Sequence, residues 1–137
     1  MPSETSGLTG ALGEMTFERH FTAEGRFMAI PRFDLHKTDF VLEWNDTLVK
    51  VQVKTMSQQN DTNTYSVAIN TTRKGLKRQP YRRGEIDYFG IVNLDYDHIY
   101  MVPLQATGAR YALTWTPPDL RKYKKRSAFD WNQYRIK

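Results

Sequence analysis

Asp39, Gln52 and Lys54 are the side chains of this sequence best placed to do chemistry together. They lie on two runs of strand-like alternation, 39–44 and 48–54, separated by the turn-forming pair Asn45-Asp46. Successive side chains of a strand point to opposite faces. Phe40, Leu42 and Trp44 therefore share one face of the first run, and Val49, Val51 and Val53 share one face of the second. A two-residue loop at Asn45-Asp46 pairs Trp44 with Thr47, Leu42 with Val49 and Phe40 with Val51. That register sets Asp39 opposite Gln52, with Lys54 one step further along the same polar face. Directly opposed residues sit ~5 Å apart at Cβ. A carboxylate beside a side-chain carbonyl oxygen can hold a hard divalent cation such as magnesium. A nearby ammonium can orient a water, or offset the charge on a phosphate under attack. The same residues also suit an ordinary hairpin with one wet face, where Asp and Lys pair across strands, so the stretch alone leaves both readings open.

Pro31, Asp39 and Gln52-Val53-Lys54 together resemble the PD-(D/E)XK nuclease signature, with glutamine in place of the second acid. The phrase Val51-Gln52-Val53-Lys54-Thr55 resembles the branch containing a cyanobacterial group I intron homing endonuclease, and more loosely the archaeal Holliday junction resolvases. Gly13-Glu14, Gly25 and Pro31 are similar to that branch's opening helix and following strand. Glu85-Ile86-Asp87-Tyr88-Phe89 before an aliphatic run extends the likeness over residues 10–103.

The resemblance implies a restriction-endonuclease-like α/β fold, a mixed sheet with an N-terminal helix packed against it. It implies hydrolysis of DNA phosphodiesters with Mg2+, for which Mn2+ can substitute. Asp39 would bind the metal, with Gln52 and the Val53 carbonyl as neutral ligands. Lys54 would position the water or stabilise the charged transition state, and Glu14 would complete the shell. Gln52 carries one negative charge fewer than the usual acid, which should weaken magnesium binding and favour a single ion. Asp34 follows Pro31 more closely and rivals Asp39, but it has no partner like Gln52; His36, in the same loop, suits a phosphate or solvent contact. The expected activity is site-specific, homing-type cleavage of double-stranded DNA. Cleavage of four-way junctions uses the same site, and a catalytically silent DNA-binding protein could keep the same scaffold. So short a chain suggests a homodimer or homotetramer on DNA.

The whole composition agrees with a polyanionic partner. In 137 residues, 20 Lys+Arg stand against 15 Asp+Glu, a formal charge of +5, and the pI is near 9.5. That length suits a single domain, 8–137, after an unstructured 1–7, with a basic, aromatic tail over 105–137. The absence of cysteine excludes disulfides, thiolate zinc sites and a cysteine nucleophile, and three scattered histidines argue against a His-based metal centre. With no long apolar run and no charged-then-apolar leader, the expectation is a cytoplasmic, non-secreted protein.

The elements that must position the site follow from periodicity. Residues 8–24 read as a helix closed by Gly25, with Leu8, Ala11, Leu12 and Met15 on one stripe and Phe17 and Phe21 on another. Two apolar sides suggest packing into the domain or against a second subunit. Strands are expected at 26–31, 39–44, 48–54, 65–70, 86–93, 98–103 and 111–116, with a polar loop at 56–64. Between them, 71–84 carries Arg73, Lys74, Lys77, Arg78, Arg82 and Arg83 without an acid, the strongest electrostatic feature of the chain and a candidate phosphate-binding surface. Glu85 and Asp87 are expected to hold nearby arginines rather than to act in catalysis. After Pro117-Pro118, a second basic cluster including Lys122, Lys124 and Lys125 surrounds Tyr123, and Trp131 and Tyr134 follow. That tail suits DNA contact with base stacking, or aromatic packing onto the body.

Overall fold

The computed structural model of the chain describes residues 4–33, 37–59, 62–72, 78–119 and 129–136. Helix α1 (Glu4–Ala23) starts in the stretch expected to be unstructured, because extending an existing helix adds one hydrogen bond per residue fixed. It ends where Gly25 takes a φ of +74° and the Arg26 amide donates to the Phe21 carbonyl at 3.1 Å. A left-handed residue with a six-to-one bond is the closure that glycine accepts at least cost.

The central sheet has five strands: β1 (Met28–Ala29), β2 (Phe40–Trp44), β3 (Thr47–Thr55), β8 (Tyr88–Asn93) and β9 (His98–Pro103), in the order β1-β2-β3-β8-β9. Strands β2 and β3 form the expected hairpin, pairing Trp44 with Thr47, Leu42 with Val49 and Phe40 with Val51. Asn45 and Asp46 both have positive φ, 52° and 64°. Such a turn twists with its strands, and Asn and Asp tolerate that region better than most residues. Strand β3 runs parallel to β8, the other neighbours being antiparallel, so the sheet is mixed.

The crossover from β3 to β8 builds a second layer. Strands β4 (Ser57–Gln58), β5 (Tyr65–Ala68) and β10 (Ala112–Trp115) form a small sheet in the order β10-β5-β4. Strands β6 (Asn70–Thr72) and β7 (Arg78–Pro80) pair as a two-stranded ribbon. Several expectations are corrected here. The run 26–31 contracts to two paired residues, the run 65–70 divides around Ile69, the polar loop contains β4, and the basic stretch contains β7.

The central sheet separates two cores. On one face Phe17 and Phe21 of α1 pack with Phe40, Leu42, Val49, Val51 and Val53. On the other, Phe89, Ile91, Tyr100 and Val102 meet Tyr65, Val67, Leu113 and Trp115 of the small sheet. Gly90 allows the first arrangement, since a Cβ there would overlap the Phe17 ring. The Leu8, Leu12 and Met15 stripe does not pack into this chain; those side chains are 60%, 42% and 63% exposed. Periodicity identified both apolar sides of α1, but only the Phe17–Phe21 side meets the sheet. Trp131 docks on the second core, its indole N–H donating to the Thr114 carbonyl at 2.8 Å. Of the two readings of the tail, packing onto the body is the one that Trp131 follows. Among the described residues, no helix is long and apolar enough to cross a membrane.

Candidate active site

The polar face of β3 lies away from α1. Val49, Val51 and Val53 point to the helix, so Lys50, Gln52 and Lys54 point to the side of the second layer. There Lys50 is exposed, whereas Gln52 and Lys54 are half-buried. In the parallel ladder Gln52 aligns with Phe89 and Lys54 with Ile91, both of which belong to the second core. The wet face of an isolated hairpin is here a shelf at the rim of an apolar layer.

Asp39 stands at the entrance to β2, where the ladder ends. Phe40 is the last paired residue; the Asp39 amide donates to the Val51 carbonyl at 2.8 Å. The Asp39 side chain then reaches beyond the position of Gln52, and its Oδ2 accepts the Val53 N–H at 2.8 Å. The expected face-to-face alignment of Asp39 with Gln52 is thus modified. The carboxylate is tied to the β3 main chain between Gln52 and Lys54 in sequence, and it remains half-buried. A carboxylate accepting a main-chain N–H is held in one orientation, and charge-assisted bonds of this kind are about twice as strong as neutral ones.

Lys54 has an aromatic neighbour that spacing did not reveal. Its Nζ lies 5.3 Å from the centre of the Tyr81 ring, inside the ~6 Å range of a cation–π contact. Tyr81 is itself buried and meets Phe89 edge-on at 5.2 Å between ring centres. Its one sequence signal is an aromatic residue among the cations of the 71–84 segment, and nothing there points to Lys54.

Glu14 lies on α1 with its side chain exposed. The preceding Gly13 touches Thr55, since a Cβ there would overlap the threonine side chain. The helix therefore lies against the end of β3, one residue beyond Lys54. Glu85 and Asp87 each accept a main-chain amide. Glu85 Oε1 accepts the Arg82 N–H at 2.6 Å, and Asp87 Oδ2 accepts the Lys50 N–H at 2.8 Å.

The expected DNA-binding cations divide. Arg78 lies on β7, its guanidinium donating to Asn70 Oδ1 at 2.6 Å, and Arg82 and Arg83 are exposed. Arg73, Lys74, Lys77, Lys122, Lys124 and Lys125 lie outside the described residues, as do Asp34 and His36.

As a donor set for a cation, Asp39, the Gln52 amide oxygen and the Val53 carbonyl are all hard oxygens, which suits magnesium over zinc or copper. Among the described residues no cluster of three or more His, Cys, Asp or Glu side chains exists. The set contributes few charges and would leave several positions to water, a habit of magnesium.

The sequence profile of a family described as PD-(D/E)XK endonuclease matches residues 5–136. Among curated proteins no sequence matches the chain. Among solved structures, that of a bacterial homing endonuclease, I-Ssp6803I, superposes with a TM-score of 0.78 at 23% identity, over 94% of this chain and 87% of that one. At that identity the likeness concerns the fold alone.

Proposed function

The chain belongs to the PD-(D/E)XK endonuclease family, and from that premise we propose that it is a magnesium-dependent DNA endonuclease of the homing type. The observation that carries the reading is the Asp39 carboxylate fixed on the Val53 amide at 2.8 Å, beside a half-buried glutamine and lysine on the same strand.

In this reading Asp39 binds the cation, the Gln52 side chain and the Val53 carbonyl add neutral oxygens, and Glu14 reaches it directly or through water. When bound, the ion supplies Lewis-acid polarisation of the phosphoryl oxygen and lowers the pKa of a coordinated water. The residues of the chain do the rest. The Val53 amide keeps Asp39 from turning away. Lys54, held over the Tyr81 ring, places an ammonium where it can hold the attacking water and offset charge on the phosphate. The second core behind Gln52 and Lys54 limits water access, which strengthens each of these interactions.

Arg78, Arg82 and Arg83, with Arg73, Lys74, Lys77, Lys122, Lys124 and Lys125, supply the cations for backbone contacts on double-stranded DNA. A homodimer or homotetramer would give two related sites on a duplex. Size-exclusion chromatography with light scattering, with and without duplex, reads that state directly. The activity is tested by incubating the protein with a plasmid library and Mg2+, then sequencing the new ends. New ends at one recurring sequence support homing-type cleavage. Cuts confined to branched DNA point instead to a junction-specific nuclease. Intact plasmids in Mg2+ and in Mn2+ leave only a DNA-binding role.

A further inference from the structure

A cavity of about 490 Å³ opens on the outer face of the β2–β3 hairpin, lined by Lys37, Thr38, Val41, Lys50 and Glu85 among others. We propose that it seats a backbone phosphate of the DNA strand, adjacent to the one held by the Asp39 set. This inference rests on the nuclease reading above and adds to it a binding subsite with its own residues.

Position comes first. Thr38 immediately precedes Asp39, and Val41 pairs with Lys50, two residues along β3 from Gln52. Side chains two residues apart on one face of a strand are separated by ~7 Å, comparable with the step between successive phosphates of a nucleic-acid strand. A backbone lying along the hairpin would therefore present its next phosphate to this cavity.

Charge comes second. The Lys37 Nζ donates to Thr71 Oγ1 at 3.0 Å, and the Lys50 Nζ donates to the Gly84 carbonyl at 2.9 Å. Both partners are neutral, so each ammonium keeps its full charge and further N–H donors. Glu85 is the one acid of the lining; its Oε1 is engaged by the Arg82 amide, and its main-chain carbonyl accepts the Thr38 hydroxyl at 2.9 Å. The Thr38 bond ties the residue before Asp39 to the cavity wall, and Lys37 ties it to β6. Two lysines against one committed carboxylate leave the cavity net positive, and its apolar floor at Val41 suits the sugar edge of the strand.

The test measures affinity for a fluorescein-labelled linear duplex, without divalent metal, across a series of KCl concentrations. Each phosphate neutralised on duplex DNA contributes ~0.9 to the slope of log affinity against log salt. The double variant Lys37→Gln/Lys50→Gln is expected to lower that slope by about 1, the share of one phosphate. Arg19→Gln, on the exposed side of α1, removes a charge elsewhere and should leave the slope unchanged. Wild-type slope in the double variant, with binding intact, overturns the subsite and leaves the nuclease reading standing. Equal losses from both variants also overturn it, since the effect is then one of net charge. If wild-type protein shows no salt-dependent binding at all, the nuclease reading fails and the subsite falls with it.

Discussion

The carboxylate of Asp39 and the main-chain amide of Val53 share a 2.8 Å hydrogen bond across the open end of the β2–β3 hairpin. This contact does two things. It satisfies a β3 donor just where β2 stops pairing, and it fixes the acid beside Gln52 and Lys54. Removing the charge should therefore separate structure from chemistry. Asp39→Asn keeps an acceptor oxygen for Val53 and should fold like wild type by circular dichroism. Its Mg2+-dependent DNA cleavage should fall by ~10²-fold or more, because the carboxylate held beside Gln52 and Lys54 is lost.

Gln52 gives a prediction of opposite sign. Gln52→Glu restores an acid at the position where the family signature expects one, adding a charge to a set poor in them. Half-maximal cleavage should then require less Mg2+ than in wild type. Gln52→Leu, which has no oxygen, should require more. A metal titration of initial cleavage rates, read for all three proteins, checks the order.

For Lys54 and Tyr81 the expectation concerns rate and binding together. Lys54→Ala should leave duplex affinity nearly intact while reducing cleavage by ~10²- to 10³-fold, the size of effect found when a transition-state donor is removed. Tyr81→Phe keeps the ring beneath the ammonium and should retain most of the rate. Tyr81→Leu keeps apolar volume but loses the ring face, so it should lower the single-turnover rate with little change in DNA affinity.

Stability predictions bear on the frame that holds these residues. Gly90→Ala forces the Phe17 ring to move and should cost ~1–3 kcal/mol, the usual range for overpacking a dense core. Urea unfolding curves would show a lower midpoint with an unchanged slope.

Tyr65 supplies an alkaline signature. Its hydroxyl donates to Asp95 Oδ2 at 2.6 Å. That hydrogen bond, then burial, push the phenol pKa up from 10.0 to about 12. The folded state thus holds this proton more tightly than the unfolded chain. The stabilisation is complete below pH 10 and is lost as pH rises through about 12. Tyr65→Phe should remove this component, giving a shallower decline of Tm over that interval than wild type shows.

The hairpin was legible because its signals are local. Asn45-Asp46 can adopt positive φ, and alternation of period two fixes which side chains share a face, so the pairing of Phe40 with Val51 follows from the chain alone. The detour of Asp39 to Val53 was not legible, because it arises where the ladder ends and side-chain reach takes over. Tyr81 was invisible for another reason. It comes to Lys54 through the long crossover between β3 and β8, and no short-range pattern encodes that approach. The Leu8, Leu12 and Met15 stripe is an opposite case, in which a clear periodic signal marks a helix face that this chain leaves exposed. Glu85 and Asp87, expected to hold arginine side chains, accept main-chain amides, partners that sequence cannot nominate.

Iron-mediated cleavage of the polypeptide locates the bound cation, since Fe2+ with ascorbate cuts the chain beside the site where it replaces Mg2+. Cuts are expected near residue 39 and within 52–54, suppressed by excess Mg2+ and absent in Asp39→Asn. Cuts clustered elsewhere, or cuts near 39 and 52–54 that persist in Asp39→Asn, would contradict that placement of the cation.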